Sequence, residues 1–102
     1  MKVESTPLKG LLVITPKCFE DDRGFFLETY QLARYREAGI VENFLQDNHS
    51  RSKKGVLRGM HFQVKRPQAQ IVTVMRGSVF DVGVDDFGDD VNDCCASFAV
   101  IT

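Results

Sequence analysis

The stretch Ile71-Val72-Thr73-Val74-Met75-Arg76-Gly77-Ser78-Val79-Phe80-Asp81-Val82-Gly83-Val84 decides the fold class. β-Branched and aromatic residues crowd both ends and a glycine-bearing tripeptide divides them. That pattern predicts two strands, 71–75 and 79–84, joined as a hairpin. In the second strand Phe80, Val82 and Val84 share one face while Val79, Asp81 and Gly83 share the other, the period of a half-buried strand.

Similar signals recur on both sides. Phe44 to His49 and Val56 to Val64 read as strands separated by the basic loop Arg51-Ser52-Lys53-Lys54-Gly55, and Cys94 to Ile101 reads as a last strand after an acidic loop over 85–93. Nearer the N-terminus, Leu11 to Ile14 is an apolar run stopped by Pro16, and Asp21-Asp22-Arg23-Gly24 is a turn signal leading into Phe25 to Thr29. These two runs form a candidate strand pair. The one helical stretch is Gln31 to Ala38, with Gly39 where a C-terminal cap belongs. Short strands with turns every 8–12 residues or so predict an all-β sandwich or barrel of the jelly-roll kind with one short helix.

With 102 residues, 43% of them apolar, the chain has room for a single domain spanning 1–102. Thirteen Lys+Arg against fourteen Asp+Glu leave a net charge of −1. No basic field is available to hold nucleic acid or an anionic membrane surface. The longest apolar run, Leu11 to Ile14, falls far short of the ~20 residues that cross a bilayer. Glu4, Pro7 and Lys9 interrupt the region where a secretory signal needs continuous apolar residues. A cytoplasmic protein with neither nucleic-acid nor membrane partners is expected. Cys18, Cys94 and Cys95 make an odd count with two adjacent, which suits reduced structural thiols better than a disulfide or a zinc knuckle.

Acid–base chemistry near neutral pH has two candidates, His49 and His61. His61 lies in Leu57-Arg58-Gly59-Met60-His61-Phe62-Gln63, beside an arginine and a glycine. Strict alternation sends Arg58 and His61 to opposite faces of a sheet, whereas a bulge at Gly59 brings both to one side. A hydrogen-bonded core histidine is the alternative. Gln46 and Asn48, two apart, project from one strand face, and their amides suit sugar hydroxyls or a pyrimidine ring. Arg23 and Glu28 bracket Phe25-Phe26; arginine grips phosphate bidentately, and a salt-bridged hairpin explains the pair equally. Asp81 is either an acid that orients the imidazole or a solvated strand carboxylate. Tyr30 and Tyr35 flank the helix and read as packing residues, with a role as acids the alternative. No metal is expected, because His61 is followed two residues on by Gln63 and not by a second histidine. No P-loop, dinucleotide fingerprint or Ser/His/Asp signature is present.

Four segments resemble one known family: Asp22-Arg23-Gly24-Phe25-Phe26-Leu27-Glu28, Phe44-Leu45-Gln46-Asp47-Asn48-His49-Ser50, Lys54-Gly55-Val56-Leu57-Arg58-Gly59-Met60-His61-Phe62-Gln63 and Arg76-Gly77-Ser78-Val79-Phe80-Asp81-Val82. The family is the nucleotide-sugar 3,5-epimerases that act on dTDP-4-dehydro-6-deoxyglucose in dTDP-rhamnose synthesis. The resemblance implies a cupin-like double-stranded β-helix and a cofactor-free homodimer whose exchanged strands help build the active site. It also implies that His61 removes the protons flanking the 4-keto group. Arg23, Glu28, Gln46, Asn48 and Arg58 match substrate-binding positions, with Arg23 and Arg58 suited to the diphosphate. Gln70 stands where the family usually has a lysine, so an uncharged amide would meet the enolate. The resemblance covers 1–85. Over 86–102 the chain diverges, and the family's proton-donating tyrosine has no counterpart. An incomplete jelly roll, from a truncated or frameshifted relative, is therefore expected. Three readings stay open: an isomerase, a non-catalytic nucleotide-sugar-binding module, and a structural fragment.

Overall fold

A computed structural model of the chain describes residues 1–61, 68–85 and 95–101. Among these described residues seven strands and one helix follow in order: β1 (Lys2–Ser5), β2 (Leu12–Thr15), β3 (Cys18–Asp21), β4 (Gly24–Leu27), α1 (Leu32–Glu37), β5 (Leu57–His61), β6 (Val79–Asp85) and β7 (Cys95–Ile101). The strands make two two-stranded sheets, β1-β2 and β3-β4, and one three-stranded sheet in the order β5-β7-β6. The architecture is mostly β, with one short helix as the sequence predicts, and no closed barrel forms among the described residues. Two compact units divide the chain, Met1–Asn43 and Phe44–Thr102.

In the first unit every closure is local. β1 and β2 pair antiparallel from Lys2↔Thr15 to Ser5↔Leu12. Their connection is held by Thr6, whose hydroxyl donates to the Leu11 carbonyl (2.8 Å) and accepts the Leu8 N–H (3.2 Å). β3 and β4 pair from Cys18↔Leu27 to Asp21↔Gly24 across the two-residue turn Asp22-Arg23. The Asp21 carboxylate accepts the Arg23 N–H at 2.8 Å, the side-chain-to-backbone bond that favours aspartate in turns. The expected pairing of Leu11–Ile14 with Phe25–Thr29 is therefore corrected. Both runs are strands, shifted slightly, but each pairs with its own sequence neighbour. A short loop costs less closure entropy than a long one, and a turn residue at each site favours the local partner. The partners, Lys2–Ser5 and Cys18–Asp21, are mixed polar segments with no strand signature of their own.

The helix follows its sequence signals closely. The Gln31 side chain caps the start by accepting the Arg34 N–H at 2.7 Å. At the other end the Gly39 N–H donates to the Arg36 carbonyl (3.0 Å) and the Ile40 N–H to the Tyr35 carbonyl (2.9 Å), with Gly39 at φ 90°. This is the paired closing pattern that needs a left-handed residue at the position of Gly39. Among the described residues Tyr35 (4% exposed) and Ile40 (8%) are the buried ones, and they are the two that this closure ties together. The Tyr35 hydroxyl donates to the Thr29 carbonyl at 2.9 Å, and its ring meets Tyr30 edge-on at 4.8 Å. Burial, then the nearby Tyr30 and Glu28, pushes the Tyr35 phenol above its ordinary value. The packing role expected for these tyrosines agrees with this geometry.

In the second unit two predicted strands are absent. Phe44–His49 and Ile71–Met75 lie in irregular backbone. The hairpin predicted at Arg76-Gly77-Ser78 is a bend, with Gly77 at φ 84°. β6 pairs instead with β7, over seven residues from Val79↔Ile101 to Asp85↔Cys95. Seven paired positions exceed the five that the run 71–75 could supply, so the longer ladder wins. The part of the 56–64 strand beyond His61, and the acidic loop from residue 86 to 93, lie outside the described residues; so does Cys94. Apolar side chains are widely exposed: Phe25 is 71%, Phe26 72% and Leu45 91% accessible. Burying one such side chain fully is worth about 1.5–3 kcal/mol.

Replacing Tyr35 by Phe should lower the stability around α1 by about 1 kcal/mol, the value of one partly buried hydrogen bond. Because the folded phenol lies above its unfolded value, wild-type stability is complete below about pH 10 and declines as pH rises through the folded value. Phe removes that alkaline decline. Amide exchange over 29–40 measures both; an unchanged profile would show that the Thr29 bond contributes nothing.

Candidate functional site

The geometry of the site begins with one irregularity in β5. Arg58 pairs with Ala99 and His61 with Ser97 on β7, so three steps along β5 match two along β7. The extra residue is a bulge, and Gly59 takes φ 123°, a conformation that L side chains rarely adopt. Paired residues in a ladder share a face, and positions 97 and 99 on one strand share a face. Arg58 and His61 therefore project from the same side of the sheet, as the glycine had suggested. Asp81 pairs with Ala99 from the opposite side and joins that face. Arg58 and Asp81 stand in one row, two strand spacings or about 9.5 Å apart. His61 and Asp81 are diagonal, about 12 Å apart at the backbone. No hydrogen bond joins them among the described residues.

All three side chains are exposed. The Arg58 guanidinium donates to the Arg51 carbonyl at 3.4 Å, a long bond that turns it toward the basic loop. Gln46 Nε2 donates to Asn48 Oδ1 at 3.0 Å, so these amides face one side although their segment is not a strand. Gln70 and His49 are exposed in irregular backbone. These residues belong to the second unit, whereas Arg23 and Glu28 belong to the first.

Arg23 and Glu28 do not pair with each other. The Arg23 guanidinium bonds Asp21 through Nε (3.2 and 3.3 Å) and Nη2 (2.5 Å). Glu28 Oε2 accepts from Arg34 Nη1 at 2.5 Å. The salt-bridge alternative was thus right in kind and wrong in partner. Asp21 lies two residues from Arg23 across the turn, and Arg34 rises one helical turn from the Gln31 cap. The Arg23 side-chain and backbone bonds hold the Asp21 carboxyl below the usual range, and Asp21 in turn raises Arg23. Sequence reasoning missed Asp21 and Arg34. The Asp-x-Arg spacing at a turn was the available signal for the first. A concavity of about 430 Å³ beside the β3-β4 hairpin is lined by Arg23, Asp21, Phe19, Phe25 and Phe26 among others. Phe19 and Phe26 are paired across the hairpin, and Lys17 Nζ lies 4.9 Å from the Phe19 ring centroid.

Among the described residues no group of three or more His, Cys, Asp or Glu is placed to hold a metal. No helix among them is long and apolar enough to cross a membrane. One face of the β5-β7-β6 sheet thus carries the Arg58 guanidinium and the His61 imidazole. The family model described as dTDP-4-dehydrorhamnose 3,5-epimerase matches residues 5–88. The chain is 49% identical over 80 residues to the dTDP-4-dehydrorhamnose 3,5-epimerase of Methanothermobacter thermautotrophicus, covering 78% of this chain and 43% of the relative. It is 45% identical over 86 residues to that of Pseudomonas aeruginosa (83% and 48%) and 47% over 87 residues to that of Salmonella typhimurium (83% and 48%). The chain belongs to the dTDP-4-dehydrorhamnose 3,5-epimerase family. It spans less than half the length of these relatives. No solved structure matches it.

Two outcomes follow from the local geometry. Gly59→Ala should cost the β5-β7-β6 sheet about 1–3 kcal/mol, because a side chain is strained at this φ. Stability unchanged by denaturation or amide exchange would show that the bulge does not need glycine. For Asp21, the lowered folded value means that its stabilisation is complete above the unfolded value near 4 and is lost as pH falls through the folded one. Protection of the β3-β4 amides, taken relative to intrinsic exchange at each pH, should therefore fall in acid, and Asp21→Asn should abolish that dependence. Identical acid profiles in the two proteins would contradict the assignment.

Proposed function

We propose that the chain serves in 3,5-epimerisation of dTDP-4-dehydro-6-deoxyglucose, or a closely related nucleotide 4-keto-6-deoxyhexose. The observation that carries the reading is the Gly59 bulge, which sets Arg58 and His61 on one face. Family membership supplies the substrate class, since the relatives named above are 3,5-epimerases of dTDP-4-dehydrorhamnose.

The chemistry follows from the ketone. A carbonyl at C4 acidifies the hydrogens on C3 and C5, because the carbanion left behind delocalises onto oxygen as an enolate. His61 in its neutral form takes the proton and releases it to solvent, and a water molecule protonates the opposite face, which inverts the carbon. Gln70 donates its amide N–H to the enolate oxygen, a weaker stabiliser than a charged donor. Within the second unit Arg58 holds the diphosphate, and Gln46 and Asn48 recognise the sugar and base by hydrogen bonds. Asp81, a diagonal step from His61, orients the imidazole through an intervening water or the substrate. No cofactor enters the scheme. Exposed apolar side chains such as Phe25 and Phe26 support a homodimer in which a second copy helps to close a cupin-like jelly roll and exclude water. The exposed free thiol of Cys18 suits a reducing, cytoplasmic compartment.

A second reading, binding of the nucleotide sugar without turnover, is favoured by Gln70 standing where the family resemblance implies a lysine. Deuterium uptake at C3 and C5 of the 4-keto sugar in D₂O separates the two. Epimerase chemistry predicts uptake that falls by about 10²–10⁴-fold in His61→Asn. Folded protein that binds the sugar but exchanges neither hydrogen would establish the binding reading and overturn the first.

A further inference from the structure

We infer that residues 95–101, beyond the family match that ends at residue 88, are the positioning strand of the candidate site, with Ala99 as its register node. The inference deepens the functional reading above and rests on it. β5 and β6 are not neighbours in the sheet; each pairs with β7 alone. Residue 99 pairs with both Arg58 and Asp81, and residue 97 with both His61 and Gly83. The relative placement of Arg58, His61 and Asp81 is therefore set by one seven-residue segment.

The side-chain period of a strand makes this dependence all-or-none. A slip of β7 by one residue against β6 moves Asp81 to the other face, and a slip against β5 removes Arg58 and His61 from it. A central strand spends its N–H and C=O groups on its two neighbours in alternation, so no backbone group is spare to hold the sheet if one ladder fails. Proline in such a strand removes a ladder donor and is confined in natural sheets to edges and bulges. Valine keeps the donor and favours extended backbone.

The test uses the full chain as wild type, Ala99→Pro and Ala99→Val. Amide exchange is followed over 57–61, 79–85 and, as internal reference, 2–15, beside equilibrium binding of dTDP. The expected result is exchange at least tenfold faster in both 57–61 and 79–85 for the proline variant, with 2–15 unchanged and the valine variant like wild type. Protection retained in either strand of the proline variant would overturn the inference. Loss over 2–15 as well would also overturn it, because residue 99 would then govern the whole chain and not the site. If wild type and the valine variant protect both strands yet none of the proteins binds dTDP, the positioning strand stands and the nucleotide-sugar reading falls.

Discussion

The constraint on which the site depends is a single extra residue in β5. Without the bulge, Arg58 and His61, three apart, would face opposite sides of a regular strand. With it, three residues of β5 match two of β7, and both side chains share a face. Gly59 can hold the necessary φ of 123° because it carries no Cβ. The local cost is small, a glycine's backbone entropy and an interrupted ladder, and the consequence is an imidazole and a guanidinium on one face. Asp81 then joins the same face from β6 through the shared pairing with residue 99.

The rest of the structure is assembled from local closures. Each two-stranded sheet is a hairpin tied by a turn side chain, Thr6 in one and Asp21 in the other. The helix is capped at both ends by its own residues, and its C-terminal closure joins the two buried residues Tyr35 and Ile40. Two-stranded ribbons are marginal alone, and the exposed Phe25 and Phe26 leave apolar area unburied. Association with a second copy is the proposed remedy. It would also supply the dry surroundings in which a neutral imidazole and an amide donor act strongly.

Much of this was legible in the sequence where the cause is local. The helix from Gln31 to Ala38 with its Gly39 cap, the turn at Asp21–Gly24 and the Gly59 bulge all follow from backbone chemistry within a few residues, whereas Phe80, expected on the half-buried face of β6, is 63% exposed. The misses have a common physical origin. β-Branched composition marks Ile71–Met75 as able to be a strand, but the ladder is decided by competition between partners, and β7 offers more paired positions. Likewise Lys2–Ser5 and Cys18–Asp21 become strands because a neighbour folds back on them. For the site, residue types and spacing pointed to Arg58, His61 and Asp81. The partners of Arg23 and Glu28 depended on a turn conformation and on the helix position, which composition does not encode.

The most direct test of the account is the β5-β7 register measured in solution, from cross-strand proton contacts in the NMR spectrum of the full chain. The account predicts that Arg58 contacts Ala99 and His61 contacts Ser97. A contact between His61 and Ala96, together with Arg58 opposite Ala99, would mean an unbulged ladder. Arg58 and His61 would then lie on opposite faces, and the site described above would not exist.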